Sequence, residues 1–271
     1  MFTINSKTLK VLSSAGLLSL IAVAPVKAQT LRAFVLVNDT SEVSTINVSE
    51  NSGSTFQNIS AGRYKGTLNG VQINVECNDL THGINYGSGY TANVQYNITS
   101  AAGTISSSYY QGGLASVLTN GDYTTVSAAE ANKRASEHAW LIENFINSTA
   151  ATFAGGASGS TDLNTNLAAF QLAIWDINQD GGDGMSAGTF QLGASSASYA
   201  TQVNYFETLA AAHTTYTSNK VGFIQGPSTA IGAHQQFFSA VVPEPSTYAM
   251  MAGMVFAGTA MLRKRSRRAR K

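Results

Sequence analysis

Two residues of this chain have side chains that together could do acyl chemistry: a solitary cysteine and a glutamine in an apolar segment. Cys77 is the single cysteine of the 271 residues, so an internal disulfide is excluded. Gln171 interrupts Leu167–Trp175, a segment that is otherwise apolar on every face of a helix. Burying an amide without partners costs about 1–3 kcal/mol. Gln171 therefore requires hydrogen-bond partners or a covalent bond in the interior.

The elements that position these residues are predicted to be a strand and a helix. Val71, Ile73, Val75 and Cys77 alternate with polar residues, and this period of two predicts a strand whose apolar face, with the thiol, points into the core. Apolar spacing predicts helices over about residues 127–146, 163–177 and 197–213, with strands before and after them. We expect an α+β fold, a β-rich domain with a helical insertion of about three helices.

The sequence around Gln171 resembles a motif of bacterial surface thioester domains. Phe170–Trp175 is similar to the hydrophobic-Gln-x-Ala-hydrophobic-Trp motif of that family, and Cys77 lies 94 positions before the glutamine. The resemblance implies an internal thioester, with the sulfur from Cys77 and the acyl carbon from Gln171, that attaches covalently to an amine- or hydroxyl-bearing surface partner. The chain departs from the family at Glu76 and Phe170, where an aromatic residue and a threonine are usual. Because the acyl donor is consumed once, the resemblance implies a protein that is not an enzyme.

A purely structural role for the same two residues is the alternative. A buried cysteine behaves as a small hydrophobic residue, and a buried glutamine can be satisfied by backbone groups. The protein would then be a non-catalytic structural or polysaccharide-matrix protein in which Cys77 and Gln171 are only core residues. A polysaccharide hydrolase is a third class, but no pair of carboxylates stands out as its acid and base.

An acidic segment directly after the glutamine motif resembles the first half of a calcium-binding loop. Asp176, Asn178 and Asp180 offer oxygen ligands at alternate positions, and the glycine that follows allows a sharp turn. The glutamate that usually ends such a loop is replaced by Ala187, so that Asp183 would have to substitute for it. The sequence predicts either a weak calcium site at Asp176, Asn178, Asp180 and Asp183 or a plain Asp-Gly turn that ends the helix. It predicts no other cofactor.

The N-terminal residues 1–28 have the pattern of a secretory signal peptide. Lysines precede a short apolar run, and Val26-Lys27-Ala28 has small residues where an export peptidase cleaves. The apolar run is too short for a permanent membrane span. An N-terminal anchor helix is the alternative.

The C-terminal residues 243–271 contain three parts in a fixed order. Pro243, Glu244 and Pro245 precede an apolar segment over residues 247–262, and seven of the last nine residues are basic. Such a basic end stays in the cytoplasm, and the 16 apolar residues are near the lower limit for a transmembrane helix. This ending resembles the PEP-CTERM sorting signal of Gram-negative bacteria, with an ordinary C-terminal anchor as the alternative.

The PEP-CTERM resemblance implies a partner and a route. An exosortase-type enzyme would remove the signal while the protein is transiently anchored in the inner membrane. The exported protein would then reach the cell surface, the extracellular polysaccharide or a biofilm. Between the two signals, residues 29–242 form the predicted extracellular domain, with six basic and fourteen acidic residues and a net charge of about −8. That acidity argues against nucleic acid and anionic lipid as partners.

Overall fold

A computed structural model describes residues 29–78, 86–96, 128–150, 153, 162–218, 220–225 and 237–240. The predicted signal peptide at residues 1–28 and the predicted sorting signal at residues 243–271, including Pro243, Glu244 and Pro245, lie outside the described residues. Within the described ranges the chain is β-rich with three α-helices, which is consistent with the expected α+β class.

Six strands form a closed antiparallel barrel. They are β1 (Gln29–Leu36), β4 (Tyr64–Leu68), β5 (Val71–Cys77), β6 (Gly89–Tyr96), β8 (Val221–Gln225) and β9 (Phe237–Ala240). Their order around the barrel is β1-β4-β5-β9-β8-β6, and β6 pairs back onto β1. Closure leaves none of the six strands as an edge strand.

The register of the strands identifies the interior face of the barrel. Cys77 lies opposite Phe237, Phe237 opposite Ile224, and Ile224 opposite Val94. Residues opposite each other in antiparallel strands project to the same face of the sheet. Since all four are buried, they form one part of the barrel core, and the inward orientation predicted for Cys77 is confirmed.

An Asn-Gly turn sets the register of the strand that carries Cys77. Asn69 and Gly70 have φ angles of 50° and 80°, as a two-residue type I′ hairpin turn requires. The Asn69 Oδ1 atom also accepts a hydrogen bond from the Ala33 N–H group at 3.0 Å, which ties the turn to β1. A slip of one residue would turn Cys77 to the opposite face, so this turn helps to keep the thiol inside.

A second, three-stranded sheet consists of β2 (Val43–Ser49), β3 (Gln57–Gly62) and β7 (Gln191–Leu192) in the order β3-β2-β7. The chain leaves this sheet for the barrel at Gly62, which has a φ of 145°. A Cβ atom there would lie 2.2 Å from the Glu42 carbonyl oxygen, so only glycine fits. As a result β4 begins at Tyr64. Because Tyr64 pairs with Val75, Cys77 lies two residues past the last β5 residue that pairs with β4.

Three helices pack together through aromatic side chains. They are α1 (Ala128–Phe145), α2 (Leu163–Gln179) and α3 (Ala200–Ala211). Asp162 caps α2 by accepting a hydrogen bond from the Thr165 N–H group at 2.7 Å. Between the helices, rings with centroid distances of 5.2 to 6.1 Å form a cluster of Phe145, Phe153, Phe170 and Phe206.

The third helix begins later than the sequence predicts. Ala194–Tyr199 form a 3₁₀ helix, and α3 starts only at Ala200. The Ser196 hydroxyl oxygen in this segment accepts a hydrogen bond from the Asn47 N–H group at 2.8 Å, so the 3₁₀ turn is held against β2. This tertiary contact overrides the helical spacing of the local sequence.

Candidate functional site

Cys77 ends β5 and is completely buried. It shares the interior face of the strand with Ile73 and Val75. Burial raises the pKa of the Tyr64 phenol, and the proximity of Cys77 raises it further. The thiol therefore lies in a water-poor part of the barrel, where a reactive acyl bond would be protected from hydrolysis.

Helix α2 brings Gln171 directly to Cys77. The Gln171 Oε1 atom accepts a hydrogen bond from the Cys77 N–H group at 2.7 Å, and Gln171 Nε2 donates one to the Cys77 carbonyl oxygen at 2.6 Å. Because the pairing of β4 ends at Val75, the carboxamide occupies the position that a strand residue would have beside Cys77. The burial predicted for Gln171 is confirmed, with an exposure of 0 %.

This contact also has a chemical consequence for the Gln171 carbonyl group. The Cys77 N–H group donates to Oε1, the atom on which negative charge develops when a nucleophile attacks the amide carbon. The backbone of Cys77 holds the Gln171 carboxamide, and the thiol is the side chain of that same residue. A nucleophile and a polarised amide are thus confined to one buried site.

A second contact from α2 holds the residue that follows Cys77. The Asn178 Nδ2 atom donates to the Asn78 carbonyl oxygen at 3.1 Å and to Asn78 Oδ1 at 2.9 Å. Gln171 and Asn178 are seven positions apart, so they lie on the same face of the helix. Sequence reasoning missed this role of Asn178 and Asn78, although the i, i+7 spacing is visible.

Glu76, at which the chain departs from the usual thioester-domain motif, has a buried carboxyl group. Glu76 is 0 % exposed, and neither of its carboxyl oxygens has a hydrogen-bond partner among the described residues. It lies opposite Phe238, on the face of β5 that points away from the thiol. Burial raises the pKa of Glu76 well above its usual value, while Arg63 lowers it in part. The carboxyl group next to the cysteine therefore keeps its proton to a higher pH than an exposed glutamate does.

The aspartates of the predicted calcium loop converge, but the asparagine does not join them. Oxygen atoms of Asp176, Asp180 and Asp183 lie within 4.8 Å of one another. The Asn178 side chain is held by Asn78 instead. Glu207, on α3, lies close to Asp176. The pKa of Asp176 is raised to about 9, chiefly because the group is buried and in addition because the Glu207 carboxylate is near. No local pattern in the sequence points to Glu207, because this residue is on another helix, 24 positions after Asp183.

Comparison with known protein families gives a match at the C-terminal end of the chain. Residues 241–268 match the family model of the PEP-CTERM protein-sorting motif. No curated protein and no solved structure matches the chain. None of the helices in the described ranges is long and apolar enough to cross a membrane, and the apolar segment at residues 247–262 is outside those ranges. The C-terminal segment is thus similar to a signal that indicates an exported protein, which passes through the membrane during sorting by an exosortase.

Proposed function

We propose that this exported protein carries an internal thioester between Cys77 and Gln171 and uses it to attach covalently to a surface partner. The partner would present an amine or a hydroxyl group, on a protein or on extracellular polysaccharide. The observation that carries the proposal is the reciprocal hydrogen bonding of the Gln171 carboxamide to the Cys77 backbone at the buried end of β5.

The chemistry balances without a cofactor. The Cys77 sulfur attacks the Gln171 amide carbon, the C–N bond breaks, and ammonia leaves with the proton of the thiol. The hydrogen bond from the Cys77 N–H group to Oε1 favours this attack, because it stabilises the charge on oxygen. A partner amine later attacks the thioester carbon, an amide bond forms and the Cys77 thiol is restored. The acyl group is used once, so the protein acts as a single-use adhesin and not as an enzyme.

The same contact gives the second candidate function its basis. A buried glutamine with an intact carboxamide is satisfied when it bonds both backbone groups of Cys77. In that case Gln171 only joins α2 to the end of β5, and the protein is a structural or matrix-binding component. The two candidates differ in one chemical fact, the presence or loss of the Gln171 nitrogen.

Intact-mass measurement of the protein separates these candidates. The thioester predicts a mass lower by one ammonia than the sequence requires, and methylamine should add its full mass at Gln171. The Cys77→Ala variant should have the full amide mass and no reaction with methylamine. Gln171→Glu should also lack the reaction.

Gln202 supplies a matched control, since it is another glutamine at low exposure, 8 %, on α3. The Gln202→Glu variant should keep the ammonia loss and the methylamine reaction of the natural protein. A protein of full mass whose Cys77 reacts with a thiol reagent after unfolding would leave only the structural candidate.

A further inference from the structure

A group of four carboxylates joins the end of α2, the loop that follows it and α3. Asp176 belongs to the last turns of α2, Asp180 is its C-cap, and Asp183 is in the loop. One oxygen of each lies within 4.8 Å of the others. Glu207, on α3, is within hydrogen-bonding distance of Asp176 and close enough to Asp183 for their charges to interact. Three separate parts of the chain thus bring carboxyl groups to one place.

Two buried oxygens in this group accept no hydrogen bond from an N–H or hydroxyl donor. Asp176 is 0 % exposed and Glu207 is 7 % exposed, yet no such donor of the described residues reaches Asp176 Oδ1 or Glu207 Oε1, and the contact between the two side chains is one of carboxyl with carboxyl. Buried carboxylate oxygens are costly unless a positive charge or a donor compensates them. In the described part of the chain, no salt bridge from lysine or arginine reaches any of the four carboxylates. A bound cation would supply what these two oxygens lack.

The loop is shaped to hold the carboxylates in position. Asp180 Oδ2 accepts hydrogen bonds from the N–H groups of Thr189 and Phe190 at 2.9 and 2.7 Å, and the Gly184 N–H group donates to Asp176 Oδ2 at 3.2 Å. Gly188 has a φ of 68°, and a Cβ atom there would lie 2.5 Å from Asp180 Oδ2. The loop therefore needs glycine at this point to close around the acidic group.

We propose that Asp176, Asp180, Asp183 and Glu207 bind one Ca²⁺ ion. The ligands are all oxygens, which favours a hard cation, and they come from irregular positions on three segments. Ca²⁺ accepts such variable geometry, whereas Mg²⁺ requires a nearly ideal octahedron. The end of α2 also carries the partial negative charge of a helix C-terminus, which attracts a cation. Glu207 thereby takes the role of the glutamate that the loop lacks at Ala187.

The ion would fasten α2 to α3 through Asp176 and Glu207. Since α2 also carries Gln171 and Asn178, the same ion would stabilise the helix that holds the end of β5. This inference does not depend on the thioester, because it predicts metal binding whether or not Gln171 loses its nitrogen.

Calorimetric titration of the full-length protein with CaCl₂, together with thermal unfolding in Ca²⁺ and in EDTA, tests the site. We expect Ca²⁺ to bind and to raise the unfolding temperature, and MgCl₂ to bind more weakly. Asp183→Asn and Glu207→Gln should each lower the Ca²⁺ affinity by at least about tenfold. Asp183 is exposed, so its variant should fold even if the Glu207 variant does not.

Asp39→Asn is the control, because Asp39 is an acidic residue outside the cluster, where it pairs with Lys65 at 2.6 Å. Its Ca²⁺ affinity should equal that of the natural protein. The proposal is overturned if the natural protein neither binds Ca²⁺ nor shifts its unfolding temperature, or if both cluster variants bind as tightly as the natural protein. Equal affinity for Mg²⁺ would overturn the choice of Ca²⁺.

Discussion

Replacing Gln171 by leucine in a chain that already lacks the Cys77 thiol measures the two hydrogen bonds at the centre of the site. Cys77→Ala prevents any thioester, so Gln171 keeps its amide and both bonds to the backbone of residue 77. Cys77→Ala/Gln171→Leu then removes the carboxamide, while leucine fills a similar volume. The difference between the two variants contains the hydrogen bonds and little else.

The structure gives the size of this difference. Leucine leaves two buried backbone groups at position 77, one N–H and one C=O, without a partner. Each such group costs about 1–3 kcal/mol, so the second substitution should lower the free energy of unfolding by about 2–6 kcal/mol. A domain of ordinary stability has about 5–15 kcal/mol in total, so the loss should be large and easily measured.

Urea unfolding, followed by the fluorescence of Trp140 and Trp175, provides the assay. Gln202→Leu in the same Cys77→Ala background is the control, since Gln202 Oε1 has no partner among the described residues. Its effect should stay below about 1 kcal/mol. If Gln171→Leu also costs less than about 1 kcal/mol, the carboxamide does not bind the strand as described.

Substitutions at three further positions test the surroundings of the site. Asn178→Ala removes both hydrogen bonds to Asn78 and should lower the free energy of unfolding, measured with urea, by about 1–3 kcal/mol; no loss would contradict the role of Asn178 in holding Asn78. Arg63→Ala should cost about 2–4 kcal/mol, because the Arg63 Nη1 atom donates to the carbonyl oxygens of Ile146 and Ser148 at the end of α1, and Arg63→Lys should recover only part of it. Glu76→Gln should stabilise the protein at pH 8 and have little effect at pH 4. The folded state raises the pKa of Glu76 above 4.5, so the natural protein loses stability as the pH rises above that value. Identical pH dependence of unfolding in the natural protein and in Glu76→Gln would refute this assignment.

Local patterns predicted the elements of the site well. The alternation from Val71 to Cys77 predicts a strand with the thiol inside, and the structure confirms both. The apolar surface of Leu167–Trp175 predicts a buried helix, and α2 is buried from Asn166 to Asn178. These predictions succeed because strand and helix periods depend only on neighbours along the chain.

Contacts between residues far apart in the sequence could not be predicted from such local patterns. Closure of the barrel depends on the pairing of β1 with β6, more than fifty residues apart, and β3 is too polar to show an alternation. The meeting of Cys77 and Gln171 was expected only from the resemblance to thioester domains. That the carboxamide binds the backbone of Cys77 follows from where β4 begins, at Tyr64, which in turn depends on Gly62. Likewise, Glu207 joins the aspartates only because α3 packs on α2.

The central claim is that the Gln171 side chain has lost its nitrogen as ammonia and that its acyl carbon is bonded to the Cys77 sulfur. Peptide mapping of the protein, digested under mildly acidic conditions that spare thioesters, tests it most directly. The account predicts that the peptides containing Cys77 and Gln171 remain joined at their summed mass less one ammonia, and that methylamine separates them and leaves N-methylglutamine at position 171. Recovery of two separate peptides, with the Cys77 thiol and the Gln171 amide both intact, would contradict it.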